Sequence, residues 1–394
     1  MQMTLGLIRE RKNPPDQRAV LSPSQCTDLL HHYPSLRILV EPSEIRAFAN
    51  QDYVDAGCQL TDQLSDADWL LGVKEVPLDH LHPGKTHFFF SHTYKRQPSN
   101  RDLLKACVDK GVRLIDWELL KHNHDRVIGF GVYAGLVGAY EALRGYGMKR
   151  KEFDLSPALK LGTVSELKRS LQAVNTSLRA AITGSGRVAS GARDMLLAAG
   201  LKEVSPEAYL SNEHAACFTV LPASAYVQRS SDGGFDKGEF YQNPDLYRNN
   251  FLQFASCTDL YLACHYWKDG SPPFFTAEDA CHPDFKIQFV GDISCDIDGP
   301  VACTLRPSTA DSPFYGWNPQ KHQETDLLAK GSIGVLAVDN LPSQVPMDAT
   351  EGFGKAFIEQ VLKPHLRGEG EDMLWQASEC ANGSLTSQFK HLAG

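Results

Sequence analysis

The feature that most constrains the fold of this chain is a glycine-rich turn between a strand and a helix. The pattern G-x-G-x-x-A runs from Gly184 to Ala189, after an apolar stretch over residues 179–183 and at the start of a helical pattern over residues 188–199. Gly184 permits a tight turn, and Gly186 lets the backbone approach a pyrophosphate that faces the free N–H groups of the helix. The sequence therefore predicts a dinucleotide-binding βαβ unit that opens at Gly184.

The expected cofactor depends on the strand that follows this helix. An acidic residue about 20 positions beyond the glycines normally holds the ribose hydroxyls of NAD. Here the second strand ends near Glu203, and Ser205 stands where an Asp is expected. Ser205 and Arg187 together would accept a 2′-phosphate, which favours NADP, with NAD as the alternative. Arg187 is equally consistent with a solvated surface charge.

Length and composition define the broad class of the protein. A chain of 394 residues indicates two domains of about 100–200 residues each. Lys plus Arg (39) minus Asp plus Glu (48) gives a net charge of -9, which opposes nucleic-acid binding. No stretch approaches the roughly 18 uninterrupted apolar residues of a membrane span, and the start of the chain lacks a secretory signal. We expect a cytoplasmic protein that acts on small molecules.

The order of predicted elements divides the chain into two α/β domains. Residues 4–132 alternate strands with helical stretches, which is typical of a mostly parallel sheet. A helix rich in Ala, Gly and Leu over residues 133–146 connects the domains, and residues 378–394 are expected to be a helix or a frayed end. The predicted strands of the first domain are 5–8, 37–40, 69–73, 86–90 and 113–116. The expected boundaries are 1–132 with about 338–394 for a substrate-binding catalytic domain, and 133–337 for the dinucleotide domain.

Ionisable side chains follow directly on two of the predicted strands. Lys74 follows the strand over residues 69–73, and His92 follows the strand over residues 86–90. Ligands of open α/β sheets collect beyond the carboxyl ends of strands, so both residues are expected at one crevice. Burial or a nearby cation would lower the pKa of Lys74, and imidazoles exchange protons near neutral pH. The pair is a candidate for proton transfer. The alternatives are a surface Lys74–Glu75 pair and a histidine bonded to a backbone carbonyl.

Two arginines are candidates for binding a substrate carboxylate. Arg18 and Arg126 each lie in an otherwise mixed polar and apolar stretch, and a guanidinium binds a carboxylate through two hydrogen bonds. A surface position is the alternative for both. The histidine pairs His80 with His82 and His122 with His124 lack a third ligand, so no metal site is predicted.

Eight segments in this order carry a resemblance to a known family. They are Leu71-Gly72-Val73-Lys74-Glu75-Val76-Pro77, Phe89-Phe90-Ser91-His92-Thr93-Tyr94-Lys95, Arg113-Leu114-Ile115-Asp116-Trp117-Glu118, Phe130-Gly131-Val132-Tyr133-Ala134-Gly135, Thr183-Gly184-Ser185-Gly186-Arg187-Val188, Phe240-Tyr241-Gln242-Asn243-Pro244, Gly291-Asp292-Ile293-Ser294-Cys295-Asp296 and Val338-Asp339-Asn340-Leu341-Pro342-Ser343-Gln344-Val345-Pro346. Together they resemble the lysine-forming saccharopine dehydrogenases. They also resemble the lysine-ketoglutarate reductase half of the aminoadipic semialdehyde synthases, within the alanine dehydrogenase-like superfamily.

The resemblance implies a fold and a set of functional residues. The implied fold is two Rossmann-like domains with mostly parallel sheets and the active site in the cleft between them. Lys74 and His92 are implied as the acid–base pair. The residues implied to shape the substrate pocket or tune that pair are Arg18, Glu75, Glu118 and Arg126. The residues expected at the dinucleotide are Gly184, Ser185, Gly186, Arg187, Val188, Ser205 and Asp292.

The resemblance also implies a reaction. In this family the ε-amine of lysine condenses with 2-oxoglutarate, and the imine accepts hydride from the nicotinamide to give saccharopine, reversibly. One alternative is an alanine dehydrogenase-like or opine-forming enzyme with another amine and oxo acid, and a second is a dinucleotide-binding sensor without turnover. The chain ends soon after the reductase-like region, so we expect a separate protein to oxidise saccharopine.

Overall fold

A computed structural model of the chain describes residues 3–95, 100–172, 174, 177–211 and 213–392. The chain forms two compact units. Unit 1 comprises Met1–Phe130 and Pro346–Gly394, and unit 2 comprises Gly131–Val345. Each unit has an eight-stranded, mostly parallel sheet, which confirms the predicted α/β fold class. No helix in the described ranges is long and apolar enough to cross a membrane.

The N-terminal segment of unit 1 contains the strands predicted from apolar runs. Its strands are β1 (Met3–Leu7), β2 (Leu36–Val40), β3 (Gln59–Leu60), β4 (Trp69–Leu71), β5 (Thr86–Phe89), β6 (Arg113–Asp116), β7 (Lys121–His122) and β8 (Asp125–Arg126). Its helices are α1 (Pro23–His32), α2 (Asn50–Asp55) and α3 (Arg101–Asp109). All five predicted strands are confirmed, since long apolar runs make the strongest local signal for buried parallel strands.

Unit 2 begins with a long helix and then alternates helices with strands. Its helices are α4 (Gly131–Arg150), α5 (Ala158–Leu161), α6 (Val164–Leu171), α7 (Arg187–Ala198), α8 (Pro206–Leu210), α9 (Ala223–Tyr226), α10 (Lys237–Gln242), α11 (Leu252–Ala255) and α12 (Ala277–Ala280). Its strands are β9 (Arg179–Thr183), β10 (Lys202–Glu203), β11 (Cys217–Leu221), β12 (Val227–Arg229), β13 (Tyr247–Asn249), β14 (Leu260–Ala263), β15 (Phe289–Asp292), β16 (Phe314–Asn318), β17 (Gln323–Thr325) and β18 (Ile333–Leu336).

The C-terminal segment completes unit 1. Its elements are α13 (Pro346–Phe357), a π-helical turn (Ile358–Leu362), α14 (Lys363–Leu366), α15 (Glu371–Gln376), β19 (Ser378–Ala381) and β20 (Ser384–Leu385). The prediction of a helix or frayed end over residues 378–394 is wrong at β19 and β20. The antiparallel pairing of β19 with β6 makes this part of the chain a strand. A pairing between segments so far apart in the chain produces no pattern in the local sequence. The expectation holds for the 3₁₀ helix Ser387–Leu392, and residues 393–394 lie outside the described ranges.

In the sheet of unit 1 the carboxyl ends of three neighbouring strands lie side by side. Its order is β20-β19-β6-β5-β4-β1-β2-β3, and β4, β5 and β6 are parallel neighbours. In register, Leu71 lies beside Phe88, and Phe89 lies beside Asp116. The segments that leave β4, β5 and β6 therefore begin side by side.

The sheet of unit 2 reverses its strand order at β9. The order is β10-β11-β9-β14-β15-β18-β16-β17, so the chain proceeds from β9 first to one side and later to the other. Crevices of this kind bind ligands in open α/β sheets. The neighbours of β9 are β11 and β14, and the short edge strand β10 pairs with β11.

Helix α4 holds helix α7 against the sheet through two glycines. A Cβ atom at Gly135 would lie 1.9 Å from the carbonyl oxygen of Val188, and one at Gly191 would lie 2.1 Å from the carbonyl oxygen of Val132. Any side chain there would force the two helices apart, so these glycines set the position of α7. The start of α7 is thereby fixed beside the turn after β9.

Candidate functional site

A buried carboxylate holds the segment that carries Lys74. Glu10, which follows β1, accepts hydrogen bonds from the backbone N–H groups of Val73 (2.7 Å) and Lys74 (2.8 Å). Burial raises the pKa of Glu10 to about 7 although these two bonds favour its ionised form. The indole of Trp117 donates to the carbonyl of Gly72 at 2.8 Å. The backbone on both sides of this turn is thus fixed.

The side chain of Lys74 lies in an environment that disfavours its charge. It is half-buried, and burial lowers its pKa, with the nearby cations Arg18 and Lys12 acting in the same direction. Asp16 and Glu75 oppose that shift without reversing it. An amine in such a place releases its proton more readily than a solvated lysine does, as a proton carrier requires.

Arg18 forms a buried ion pair beside Lys74. Its Nε and Nη2 donate to the two carboxylate oxygens of Asp16 at 2.9 and 2.6 Å. Burial raises the pKa of Asp16, but Arg18 outweighs burial and lowers it to about 2. The guanidinium also lies 4.2 Å from the ring centroid of Phe130, which stacks on Phe353. Arg18 is therefore a rigidly held cation.

A second buried carboxylate holds the segment that carries His92. Asp116, at the end of β6, accepts from the backbone N–H groups of Ser91 (2.8 Å) and His92 (3.0 Å). His92 has a φ of 54°, in the left-handed region that costs energy for a residue with a side chain. Its ring lies nearly parallel to that of Phe90. The bonds to Asp116 maintain this conformation and with it the direction of the imidazole.

Glu75 joins the two segments. Its Oε1 lies 3.5 Å from Nδ1 of His92, and its Oε2 lies 2.6 Å from Nζ of Lys12. Burial raises the pKa of Glu75, but the bonds from His92 and Lys12 outweigh burial and lower it to about 2. The structure therefore brings the imidazole of His92 next to a permanent negative charge on the residue after Lys74.

Glu118, two residues beyond β6, binds three side-chain donors near the carboxyl ends of the same strands. It accepts from Tyr94, from Lys95 at 2.8 Å and from Arg126 at 2.9 Å. Burial raises the pKa of Glu118, but the bonds from Lys95 and Tyr94 outweigh it and lower the pKa to about 2. Arg126, with 47% of its side chain exposed, lies on β8 and is the outermost member of this group.

The turn after β9 has the geometry of a dinucleotide-binding loop. Gly184 has a φ of +94°, and a Cβ atom there would lie 2.7 Å from the carbonyl oxygen of Cys264. A Cβ atom at Gly186 would meet nothing within 4 Å. Ser185, Gly186 and Arg187 are exposed at the start of the 12-residue helix α7. The turn thus offers open space directly at the free N–H groups of a helix.

Two further predicted cofactor residues have different surroundings. Ser205 is exposed and caps α8 after β10, two strands from β9, or roughly 10 Å at about 4.8 Å per strand. Asp292, at the end of β15, is fully buried and accepts from Ser294, Cys295 and Thr304. Burial raises its pKa although these bonds lower it. Asp292 therefore holds the loop after β15 in place.

Four residues of these sites were not assigned a role from the sequence. Asp116 ends a buried apolar run and Glu10 lies two residues beyond one, and a buried carboxylate in that position is a signal that could have identified them. Glu379 lies on β19, which the sequence did not predict as a strand. His265 follows β14, with Nδ1 2.8 Å from the Thr183 hydroxyl and Nε2 buried without a hydrogen bond among the described residues.

Comparisons with known proteins agree with this architecture. Residues 6–137 match the family model described as the N-terminal domain of alanine dehydrogenase/PNT. An L-alanine dehydrogenase structure is 18% identical over 99% of both chains, with a TM-score of 0.64. The transhydrogenase from Sinorhizobium meliloti is 13% identical over 97% of this chain and all of its own, with a TM-score of 0.62. The chain has the fold of this alanine dehydrogenase-like class.

Sequence comparison identifies the relatives within that class. The alpha-aminoadipic semialdehyde synthases of Bos taurus and Arabidopsis thaliana are 28% and 29% identical over 98% of this chain, which spans 47% and 41% of their length. The L-lysine-forming saccharopine dehydrogenase of Emericella nidulans is 24% identical over 94% of both chains. The predicted resemblance is confirmed: both groups of enzymes are homologues of this chain.

The surroundings of Lys74 predict how its pKa responds to a neighbouring charge. We expect Lys74 to titrate below an ordinary lysine, and its pKa to rise in Lys12→Gln because one repelling cation is removed. Acetylation by acetic anhydride at a series of pH values, read by mass spectrometry, measures this. Lys105→Gln changes an exposed lysine on α3 and should leave the profile of Lys74 unchanged. An ordinary lysine profile, or no rise in Lys12→Gln, would contradict this description of the site.

Proposed function

We propose that the chain is a nicotinamide-dependent oxidoreductase that forms saccharopine from L-lysine and 2-oxoglutarate, reversibly. The observation that carries the proposal is the pair of segments bearing Lys74 and His92, each fixed by a buried carboxylate and joined through Glu75. The homology to L-lysine-forming saccharopine dehydrogenases supports the same reaction. In this proposal unit 1 is the substrate-binding catalytic unit.

Unit 2 is the proposed dinucleotide-binding unit. The residues that would hold the dinucleotide are Gly184, Ser185, Gly186, Arg187 and Val188, because an open turn at a helix start suits a pyrophosphate. Bound nicotinamide supplies or accepts the hydride. NADP is the proposed cofactor and NAD the alternative. The preference rests mainly on Arg187, the first residue of α7, since Ser205 lies two strands from β9.

The proton steps of the reaction fit the two anchored side chains. Lysine must lose a proton from its ε-ammonium group before that nitrogen can attack the keto carbon, and the carbinolamine oxygen must gain a proton before it leaves as water. Lys74 has a lowered pKa and suits the acceptor or donor at one of these atoms, with His92 at the other. The carboxylate of Glu75, 3.5 Å from Nδ1 of His92, orients the imidazole.

The carboxylates of the substrates require cations. Arg18 and Arg126 are the proposed partners, since both guanidinium groups lie in unit 1 near the anchored segments. Asp16 already binds Nε and Nη2 of Arg18, which orients that guanidinium before any substrate arrives. Glu118 does the same for Arg126 at 2.9 Å.

A second candidate function is favoured by the fold comparison. The alanine dehydrogenase structure covers nearly the whole chain, so an alanine dehydrogenase-like or opine-forming reaction uses the same scaffold with a different amine or oxo acid. A dinucleotide-binding sensor without turnover is a third. Substrate exchange in one assay separates all three.

The function is tested by following NADPH and NADH oxidation with lysine plus 2-oxoglutarate. Alanine and ornithine are then substituted for lysine, and pyruvate for 2-oxoglutarate. We expect turnover that depends on lysine and falls by about 10²-fold or more in Lys74→Met and in His92→Gln, because each removes a proton carrier. Lys105→Met and His31→Gln alter exposed residues of unit 1 and serve as matched controls. Turnover of pyruvate with alanine or with ammonium, but not of 2-oxoglutarate with lysine, would establish the second candidate, and cofactor binding without any turnover would establish the sensor.

The dinucleotide turn makes a separate prediction. In Gly186→Val the Cβ atom meets no protein atom within 4 Å, and the side chain fills the space where a pyrophosphate would approach the backbone. The Kd for NADPH should rise at least about tenfold, comparable to losing one hydrogen bond to a charged group. Thermal unfolding should be unchanged. Gly238→Val, at an exposed position on α10, is the matched control. An unchanged Kd in Gly186→Val would mean that the dinucleotide binds elsewhere.

A further inference from the structure

Two fully buried carboxyl groups lie on either side of one hydroxyl in unit 1. The Oγ of Ser91 is 2.7 Å from Oδ2 of Asp116 and 2.7 Å from Oε1 of Glu379. Neither carboxyl group is accessible to solvent. Asp116 ends β6 and Glu379 lies on β19, so the antiparallel strand from the C-terminal segment brings the second acid to this position.

The hydrogens available in this cluster do not satisfy both carboxylates. A serine hydroxyl has one hydrogen, so Ser91 donates to one of the two acids and the other short O–O distance requires a hydrogen on the acid itself. Thr93 adds one hydroxyl hydrogen, and its oxygen is 2.7 and 2.6 Å from the two oxygens of Glu379 and 2.8 Å from the Oγ of Ser91. With both acids ionised, one short contact between Ser91 and a carboxylate would have no hydrogen.

The surroundings decide which acid holds the extra hydrogen. Asp116 accepts from three backbone N–H groups, those of Ser91, His92 and Glu118, which stabilise its negative charge. Among the described residues, no backbone N–H lies within hydrogen-bond distance of the Glu379 carboxyl group, whose polar neighbours are the hydroxyls of Ser91 and Thr93. Backbone amides stabilise an anion more than shared hydroxyls do, so Glu379 is the better site for the hydrogen.

We propose that Glu379 and Asp116 share one proton through Ser91, that this proton resides on Glu379, and that it positions the segment carrying His92. The proton lets Glu379 donate to Ser91, while Ser91 donates to Asp116. Its loss would leave two negative charges around one hydroxyl in a buried space. Asp116 also holds the amide of His92, so the strain would be transmitted to the imidazole. Glu379 is therefore a positioning residue.

The titration of Glu379 is expected near neutral pH. Burial raises the pKa of Glu379 to about 7, the bonds from Ser91 and Thr93 lower it, and Asp116 raises it. The other ionisable groups that act on Glu379 are His92, which lowers its pKa, and Cys107 on α3, with which it interacts electrostatically. Burial also raises the pKa of Asp116.

The pH dependence of stability tests the shared proton. In the unfolded chain a glutamate ionises near pH 4.3, so a native pKa of about 7 means that stability is lost as the pH rises between these values. Glu379→Gln keeps a donor and an acceptor but cannot ionise. The Tm of this variant relative to the native chain should therefore increase from about pH 5 to about pH 8. Glu369→Gln, at an exposed position, should give a difference that does not depend on pH in this way.

Infrared spectroscopy gives a direct reading of the proton. The carbonyl-stretch band of the protonated carboxyl group of Glu379 should appear in the difference spectrum of the native chain minus Glu379→Gln near pH 6, where the contribution of Glu10, common to both chains, cancels. A pH-independent Tm difference together with the absence of this band would overturn the proposal.

The effect on His92 rests on the proposed function and has its own readout. The kcat of Glu379→Gln relative to that of the native chain should increase as the pH rises through about 7, while KM changes little. A constant ratio would overturn the positioning role. If no amine and oxo-acid pair is turned over, the proposed function fails. The Tm and infrared measurements then still decide whether the proton is shared.

Discussion

Buried carboxylates that accept backbone N–H groups are the constraint on which the candidate site depends. Glu10 holds the amides of Val73 and Lys74, and Asp116 holds those of Ser91 and His92. A segment that leaves a strand is otherwise free to adopt many conformations, and fixing it costs conformational entropy. In this chain that conformational entropy is lost during folding, before any substrate binds. The side chains that would move protons are therefore held by neighbouring strands of the same sheet.

In unit 2, close contacts at two glycines and one buried acid also fix backbone segments. Gly135 and Gly191 bring α4 and α7 into backbone contact, which fixes the start of α7 beside the turn at Gly184. Asp292 holds the loop after β15 through three neighbouring residues. Rigid placement of a loop by buried groups is what the proposed chemistry requires, because hydrogen-bonding groups must be directed before the ligand arrives.

Local patterns were sufficient to predict much of this structure. Apolar runs predicted the parallel strands of unit 1, and the glycines between β9 and α7 predicted the tight turn between strand and helix. The features that the sequence did not predict depend on contacts between residues that are far apart in the chain. Glu10 and Lys74 are 64 positions apart, and β19 depends on β6 for its hydrogen bonds. On one side the neighbour of β9 is β11, whereas the two-residue strand β10 lies at the edge of the sheet, and the order of the strands along the chain does not indicate this.

The most direct test of this account is hydrogen exchange at the amides of Lys74 and His92. Both lie outside regular strands, so without their carboxylate partners they should exchange at rates typical of exposed turns. The account predicts that both exchange as slowly as the neighbouring strands β4 and β5. It further predicts that Glu10→Gln speeds exchange at Lys74 without changing His92, and that Asp116→Asn does the reverse. Fast exchange of both amides in the native chain would contradict the claim that buried carboxylates position the candidate site.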